Sequence, residues 1–134
     1  MRIAVCGGKD FLAQNLISAV LNNLHRESYI SEVLVGKCRG VDELVASWAI
    51  RTGIPVTYYE SDWLSFGAEA DDVRNQALIA EKPYVIVLFP GGKRTADLLQ
   101  KAVDVKHQRI LIVDPMQKQA VRWYEYAVAP TGGA

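Results

Sequence analysis

Two pairs of glycines, Gly7-Gly8 and Gly91-Gly92, each follow a short apolar run and each precede a segment with helical spacing. The second pair is the more telling. Tyr84-Val-Ile-Val-Leu-Phe89, mostly β-branched or aromatic and bounded by Pro83 and Pro90, suits a parallel strand buried on both faces. Pro90-Gly91-Gly92 breaks it, and Thr95-Ala-Asp-Leu-Leu-Gln-Lys-Ala-Val reads as a helix. A strand, a glycine turn and a helix N-terminus in that order make an anion site. Unpaired N–H groups and the positive end of the helix dipole face the turn, and glycine lets a phosphate approach the backbone. Thr95 is placed to cap that helix or to donate its hydroxyl to the phosphate, two compatible roles. A further turn carries Arg39, Gly40 and Asp42. Arg39 either pairs with Asp42 on the surface or reaches a ligand, and Asp42 either caps its helix or bonds a ribose hydroxyl.

These residues need elements to hold them. Arg2–Cys6 is expected as a first strand, followed by a turn in which Asp10 caps a helix running to about Asn23, with Leu12, Leu16, Val20 and Leu24 on one face. Glu32–Gly36 is a second strand, and Val41, Leu44, Val45, Trp48 and Ala49 give the stripe of a helix closed by Gly53. Pro55–Glu60 is a third strand. A longer loop through Asp62, Trp63 and Gly67 leads to a helix from about Ala68 to Glu81, carrying Val73, Ala77 and Ala80. Arg109–Val113 is a fifth strand, and Pro115 starts a short terminal helix holding Val121, Trp123, Tyr124 and Tyr126. Strands alternating with helices at short loops imply an α/β, Rossmann-like three-layer fold. The expected sheet is five-stranded and parallel, of order 3-2-1-4-5, with helices on both faces. Its direction reverses between strands 1 and 4, where ligands bind outside the carboxyl ends, and both glycine pairs flank that crevice.

At 134 residues, 50% hydrophobic and 22% charged, the chain has apolar material for one core, so 1–130 is expected as one domain and 131–134 as a frayed tail. Fifteen basic and fifteen acidic residues leave no surplus for a general grip on nucleic acid or an anionic membrane. Any phosphate binding must be local. No apolar run approaches roughly 20 residues and the chain goes straight into a strand, which argues against a spanning helix or a signal peptide and for the cytoplasm. Cys6 and Cys38 lack metal-site spacing and are expected as thiols, small buried residues at strand ends; neither a metal nor a cofactor is expected. His25 and His107 end predicted helices, where an imidazolium suits the dipole.

Four blocks resemble the SLOG superfamily, and most closely its small YspA-type branch. They are Val5-Cys-Gly-Gly-Lys-Asp-Phe11; Cys38-Arg-Gly-Val-Asp42 with Trp48-Ala49; Asp62-Trp63 with Phe66-Gly67 and Val73-Arg-Asn75; and Phe89-Pro-Gly-Gly-Lys-Arg-Thr-Ala-Asp97. The superfamily includes the lonely-guy phosphoribohydrolases and DNA-processing protein A. The resemblance implies a pocket for a nucleotide or nucleotide-derived molecule, contacted by Gly7, Gly8, Lys9, Arg39, Gly40, Asp42, Asn75, Pro90, Gly91, Gly92, Arg94 and Thr95. It also makes Arg74 a phosphate or catalytic-site residue. Arg94 stands where the family's Pro-Gly-Gly-x-Gly-Thr has its last glycine, so either a side chain is strained there or a guanidinium is added beside the phosphate. Lonely-guy enzymes use a glutamate at the position of Leu98, and Asp97 is one residue, about 100° of helix, away.

Three functions compete. A binding module for a nucleotide or nucleotide-derived signal explains the glycine loops and tolerates Leu98. An N-glycosidase cleaving a nucleoside monophosphate to base and ribose 5-phosphate would use Arg74 for negative charge and Asp97 or Asp62 beside an oxocarbenium-like centre. A structural or interaction protein would have lost its ligand. Trp63 is a core plug or a base-stacking platform. Self-association is expected through Trp48 or the terminal aromatics.

Overall fold

The computed structural model describes residues 1–127; the tail expected at 131–134 lies outside them. The elements are β1 (Arg2–Cys6), α1 (Gln14–Glu27), β2 (Glu32–Val35), α2 (Val41–Thr52), β3 (Val56–Tyr58), α3 (Trp63–Phe66), a 3-10 turn (Gly67–Glu69), α4 (Ala70–Ala80), β4 (Val85–Leu88), α5 (Lys93–Asp104), β5 (Ile110–Val113) and β6 (Val121–Trp123). The sheet order is β3-β2-β1-β4-β5-β6. Its first five strands are parallel, with Ile3 opposite Val85 and Cys6 opposite Leu88 at the central pair.

The strands' alternation sorts their side chains into two cores. Ile3, Val5, Val33, Val35, Val85 and Val87 face α1 and α2, meeting Ile17, Leu21, Val45 and Ala49. Ala4, Cys6, Leu34, Ile86 and Leu88 face α4 and α5, meeting Leu78, Leu98 and Ala102. This is a Rossmann-like arrangement with a helical layer on each face.

Three expectations are corrected. The segment after Pro115 is not a helix but the sixth strand, antiparallel to β5, with Val113 opposite Val121 and Leu111 opposite Trp123. Asp114 and Ala120 close the connection by a backbone hydrogen bond, so the alternation Val121-Arg-Trp lies along a sheet edge. The sheet is therefore six-stranded and mixed. Asp10 does not cap α1, which starts four residues later behind Ala13 without a side-chain cap, leaving Leu12 exposed before the helix. On α4 the buried residues are Ala70, Arg74, Asn75 and Leu78, whereas Ala77 and Ala80 are exposed. The helix thus buries the neighbouring face of Ala70, Arg74 and Leu78, polar residues included, and not the expected stripe of Val73, Ala77 and Ala80.

Candidate functional site

The carboxyl ends of β1, β2, β3 and β4 empty into one cleft of about 480 Å³. Gly7, Gly8 and Lys9 enter it from β1, Lys37 and Cys38 from β2, Glu60 and Ser61 from β3. Trp63 and Asp71 form its outer wall, and Gly92, Lys93, Arg94 and Thr95 bring the N-terminus of α5 to it. This is the crevice at the strand-order reversal.

Most of the glycines serve close loop packing. A Cβ on Gly7 would lie 2.5 Å from Val41 Cγ2, and one on Gly91 would lie 2.8 Å from the Gly8 amide nitrogen and nearer still to the Thr95 hydroxyl. Gly40 has φ +81°, and a Cβ there would be 2.5 Å from two carbonyl oxygens, those of Gly8 and Lys9. Gly92 differs. A Cβ on it would meet nothing within 4 Å, so of the three glycines lining the cleft, Gly7, Gly8 and Gly92, it is the one with room for a side chain.

The two helix N-termini beside the cleft contrast. Asp42 and Glu43 lie in the first turn of α2, matching the positive end of its dipole. α5 has no acidic residue in its first turn and no side-chain cap, and it begins with Lys93 and Arg94. Cations there repel the dipole. Thr95 is not the cap: Gly92 holds that position, and the Thr95 hydroxyl lies 3.5 Å from Cys6 Sγ.

Arg94 has ordinary helical backbone, so this position does not need a glycine and the side chain strains nothing. Its guanidinium crosses the cleft floor. Nη2 donates to Asp42 Oδ2 at 3.0 Å and Nη1 to Cys38 Sγ at 3.2 Å. Asp42 is buried, accepts the Cys38 amide at 3.2 Å, and does not cap α2. Burial pushes its carboxyl above the ordinary aspartate range, against the pull of Arg94 and Arg74. Burial also works against the Arg94 charge, but Asp42 leads the interactions that raise its pKa well beyond the usual range.

Arg74 is 3% exposed, beneath the cleft. Its Nε donates to the Tyr59 carbonyl at 3.2 Å and its Nη1 to Asn75 Oδ1 at 2.9 Å and Cys6 Sγ at 3.6 Å. Nη2 has no partner among the described residues. Asn75, fully buried, donates to the Arg94 carbonyl and to Asp97 Oδ2, both at 2.9 Å, and so fixes the start of α5 against α4.

The structure therefore brings Gly7, Gly8, Lys9, Gly92, Arg94 and Thr95 to the cleft surface. Asp42, Arg74 and Asn75 lie under or behind it. Arg39 points out to Asp10 at 3.7 Å, and its side chain is 70% exposed. Pro90 and Gly91 line a separate, smaller cavity beside β5. Asp97, expected as a catalytic acid, is outside the cleft and pairs with Lys101 at 3.0 Å. Leu98, the position where the resemblance led to the comparison with a catalytic glutamate, is fully buried in the second core and serves packing. Asp62 caps α3 by accepting the Ser65 amide at 3.1 Å. Trp63 is 56% exposed and is no core plug; Trp48, 3% exposed and donating to Asn22 at 2.8 Å, offers no apolar patch. Cys38 is exposed, unlike Cys6.

Lys37, Glu60, Ser61, Asp71 and Lys93 also line the cleft and were not among the expected ligand contacts. Lys37, Glu60 and Ser61 follow strands at their carboxyl ends, which was the available signal. Ser61 donates to Asp71 at 2.5 Å, a contact that only the fold reveals.

Residues 1–66 match the family described as YspA, cpYpsA-related SLOG family. The matched stretch runs from β1 through α3, so it includes the Gly7-Gly8 turn, the Lys37–Asp42 turn and Trp63 but stops before α5. No curated protein and no solved structure matches the chain.

Proposed function

The match supports membership of the SLOG superfamily, and from that premise we propose that the chain is a binding module for a nucleotide or nucleotide-derived ligand. The observation that carries this reading is the start of α5. Lys93 and Arg94 sit at the positive end of a helix dipole that no acid in its first turn offsets. A phosphate at Gly92–Thr95 would answer both the dipole and the two cations. Lys9 and Lys37 add charge from the facing loops. The opposite wall supplies acceptors, Glu60 and Asp71, suited to ribose hydroxyls or an exocyclic amine, and the Trp63 ring offers a face to a base.

Binding is favoured over cleavage because the acid expected from α5 does not face the cleft: Leu98 is core and Asp97 is held by Asn75 and Lys101. Among the described residues no helix is long and apolar enough to cross a membrane. We place the chain in the cytoplasm and retain self-association, with the half-exposed Trp123 on β6 as the aromatic available to it. Thermal melting against nucleoside monophosphates, NAD, ADP-ribose and cyclic dinucleotides tests the binding reading. A stabilising ligand that is recovered intact supports it. No shift with any of them favours a structural or interaction protein.

A further inference from the structure

Two buried side-chain atoms have no hydrogen-bond partner among the described residues, Asp42 Oδ1 and Arg74 Nη2. Their side chains converge on one place. A Cβ on Gly36, the residue after β2, would lie 2.5 Å from Asp42 Oδ2 and 3.3 Å from Arg74 Nη2. The missing side chain leaves room where a carboxylate from one face of the sheet approaches a guanidinium from the other. Yet the carboxylate is bonded elsewhere: its Oδ2 takes Arg94 Nη2 at 3.0 Å and the Cys38 amide at 3.2 Å.

Asp42 thus has one bonded cation that also lines the cleft and a second, unbonded one beneath it. A buried carboxylate that loses its partner is costly, which ordinarily locks such a pair. Here the reserve cation removes that lock. We propose that an incoming phosphate exchanges the partner of Asp42: Arg94 leaves it for the ligand, and Asp42 turns to Arg74, so that both orphaned atoms are satisfied. The inference rests on reading the cleft as a phosphate site. It makes Arg94 the residue that grips the anion, and Asp42 a positioning residue that restrains Arg94 in the empty protein.

Calorimetric titration of the full chain with inorganic pyrophosphate and with AMP, in wild type, D42N, R94A and the double variant, tests it. Removing the restraint raises affinity by about fivefold, the part of the buried pair's energy that re-pairing with Arg74 does not return. In the R94A background D42N has no such effect. Weaker binding by D42N, or an equal gain without Arg94, overturns the exchange while leaving the phosphate reading intact. Should D42N not fold, a crystal structure of the wild type with pyrophosphate decides the matter. The exchange places Arg94 on the phosphate and Arg74 Nη2 on Asp42, and Arg94 still paired to Asp42 contradicts it. Failure of both probes to bind wild type sinks the phosphate reading itself, and the exchange with it.

Discussion

The amide of Gly8 donates to the carbonyl of Pro90 at 2.8 Å, joining the turns after β1 and β4 by their main chains. The Val41 amide adds a bond to the Gly8 carbonyl at 3.2 Å, which brings in the turn before α2. Three loops at the sheet's carboxyl edge therefore form one packed layer, and its tolerance to side chains differs sharply from glycine to glycine.

Gly40→Ala is expected to cost about 2 kcal/mol or more, because a left-handed φ and two carbonyl oxygens oppose the methyl group. Gly92→Ala should cost no more than about 1 kcal/mol, the loss of a glycine N-cap, since its Cβ meets open space. It should nevertheless weaken phosphate binding by crowding the cleft. Urea denaturation of the two variants checks the contrast, and equal losses would refute this assignment of the glycines.

Placing an acid at position 98 should not create an enzyme. Leu98→Glu buries a carboxylate among Ala4, Cys6, Leu88 and Ala102, at an expected cost of about 4 kcal/mol. A stable L98E protein that released base from a nucleoside monophosphate would show that the position faces substrate after all.

Trp63→Ala separates base from phosphate. The ring is more than half exposed, so folding stability should move by less than about 0.5 kcal/mol. Nucleotide affinity should fall by about 1–3 kcal/mol, the usual contribution of stacking, while pyrophosphate affinity stays constant. Parallel titrations with AMP and pyrophosphate measure the difference.

Asp97 should matter for acid stability and not for ligand. Burial works to raise its pKa, but hydrogen bonds from Asn75 and Lys101 and the Lys101 charge bring it below the ordinary value of 3.8. The folded state then holds fewer protons than the unfolded chain between those two values. The resulting stability is complete above 3.8 and disappears as pH falls through the lowered folded value. Asp42, raised by burial, acts oppositely, losing stability as pH climbs from 3.8 towards its folded value. Asp97→Asn should flatten the acid limb of a urea-midpoint profile and leave nucleotide affinity unchanged. An undiminished acid limb would remove Asp97 from the account.

The strand order and the place of the cleft were legible because apolar period, glycine turns and short loops all point one way at β1, β2 and β4. β6 was not, since three residues alternating after a Pro115 turn carry too little pattern to oppose a helical reading. The polar core of α4 was hidden for another reason. Arg74 and Asn75 look like a solvated pair in sequence, and only the partners brought by β1, β3 and α5 let them be buried. The same applies to Arg94, whose partners Asp42 and Cys38 lie more than fifty residues earlier. That Gly7 and Gly91 hold loops together, whereas Gly92 has room for a side chain, depends on neighbours that spacing does not show.

The most direct test incubates the full chain with nucleoside monophosphates, NAD, ADP-ribose and cyclic dinucleotides, following melting temperature and chromatographing the products. A micromolar ligand at 100 times its dissociation constant should stabilise the fold by about 2.7 kcal/mol and be returned intact. Binding should weaken in R94A. Release of free base, or an absence of stabilisation by every member of the panel, would contradict the reading of this cleft as a nucleotide-binding site without cleavage.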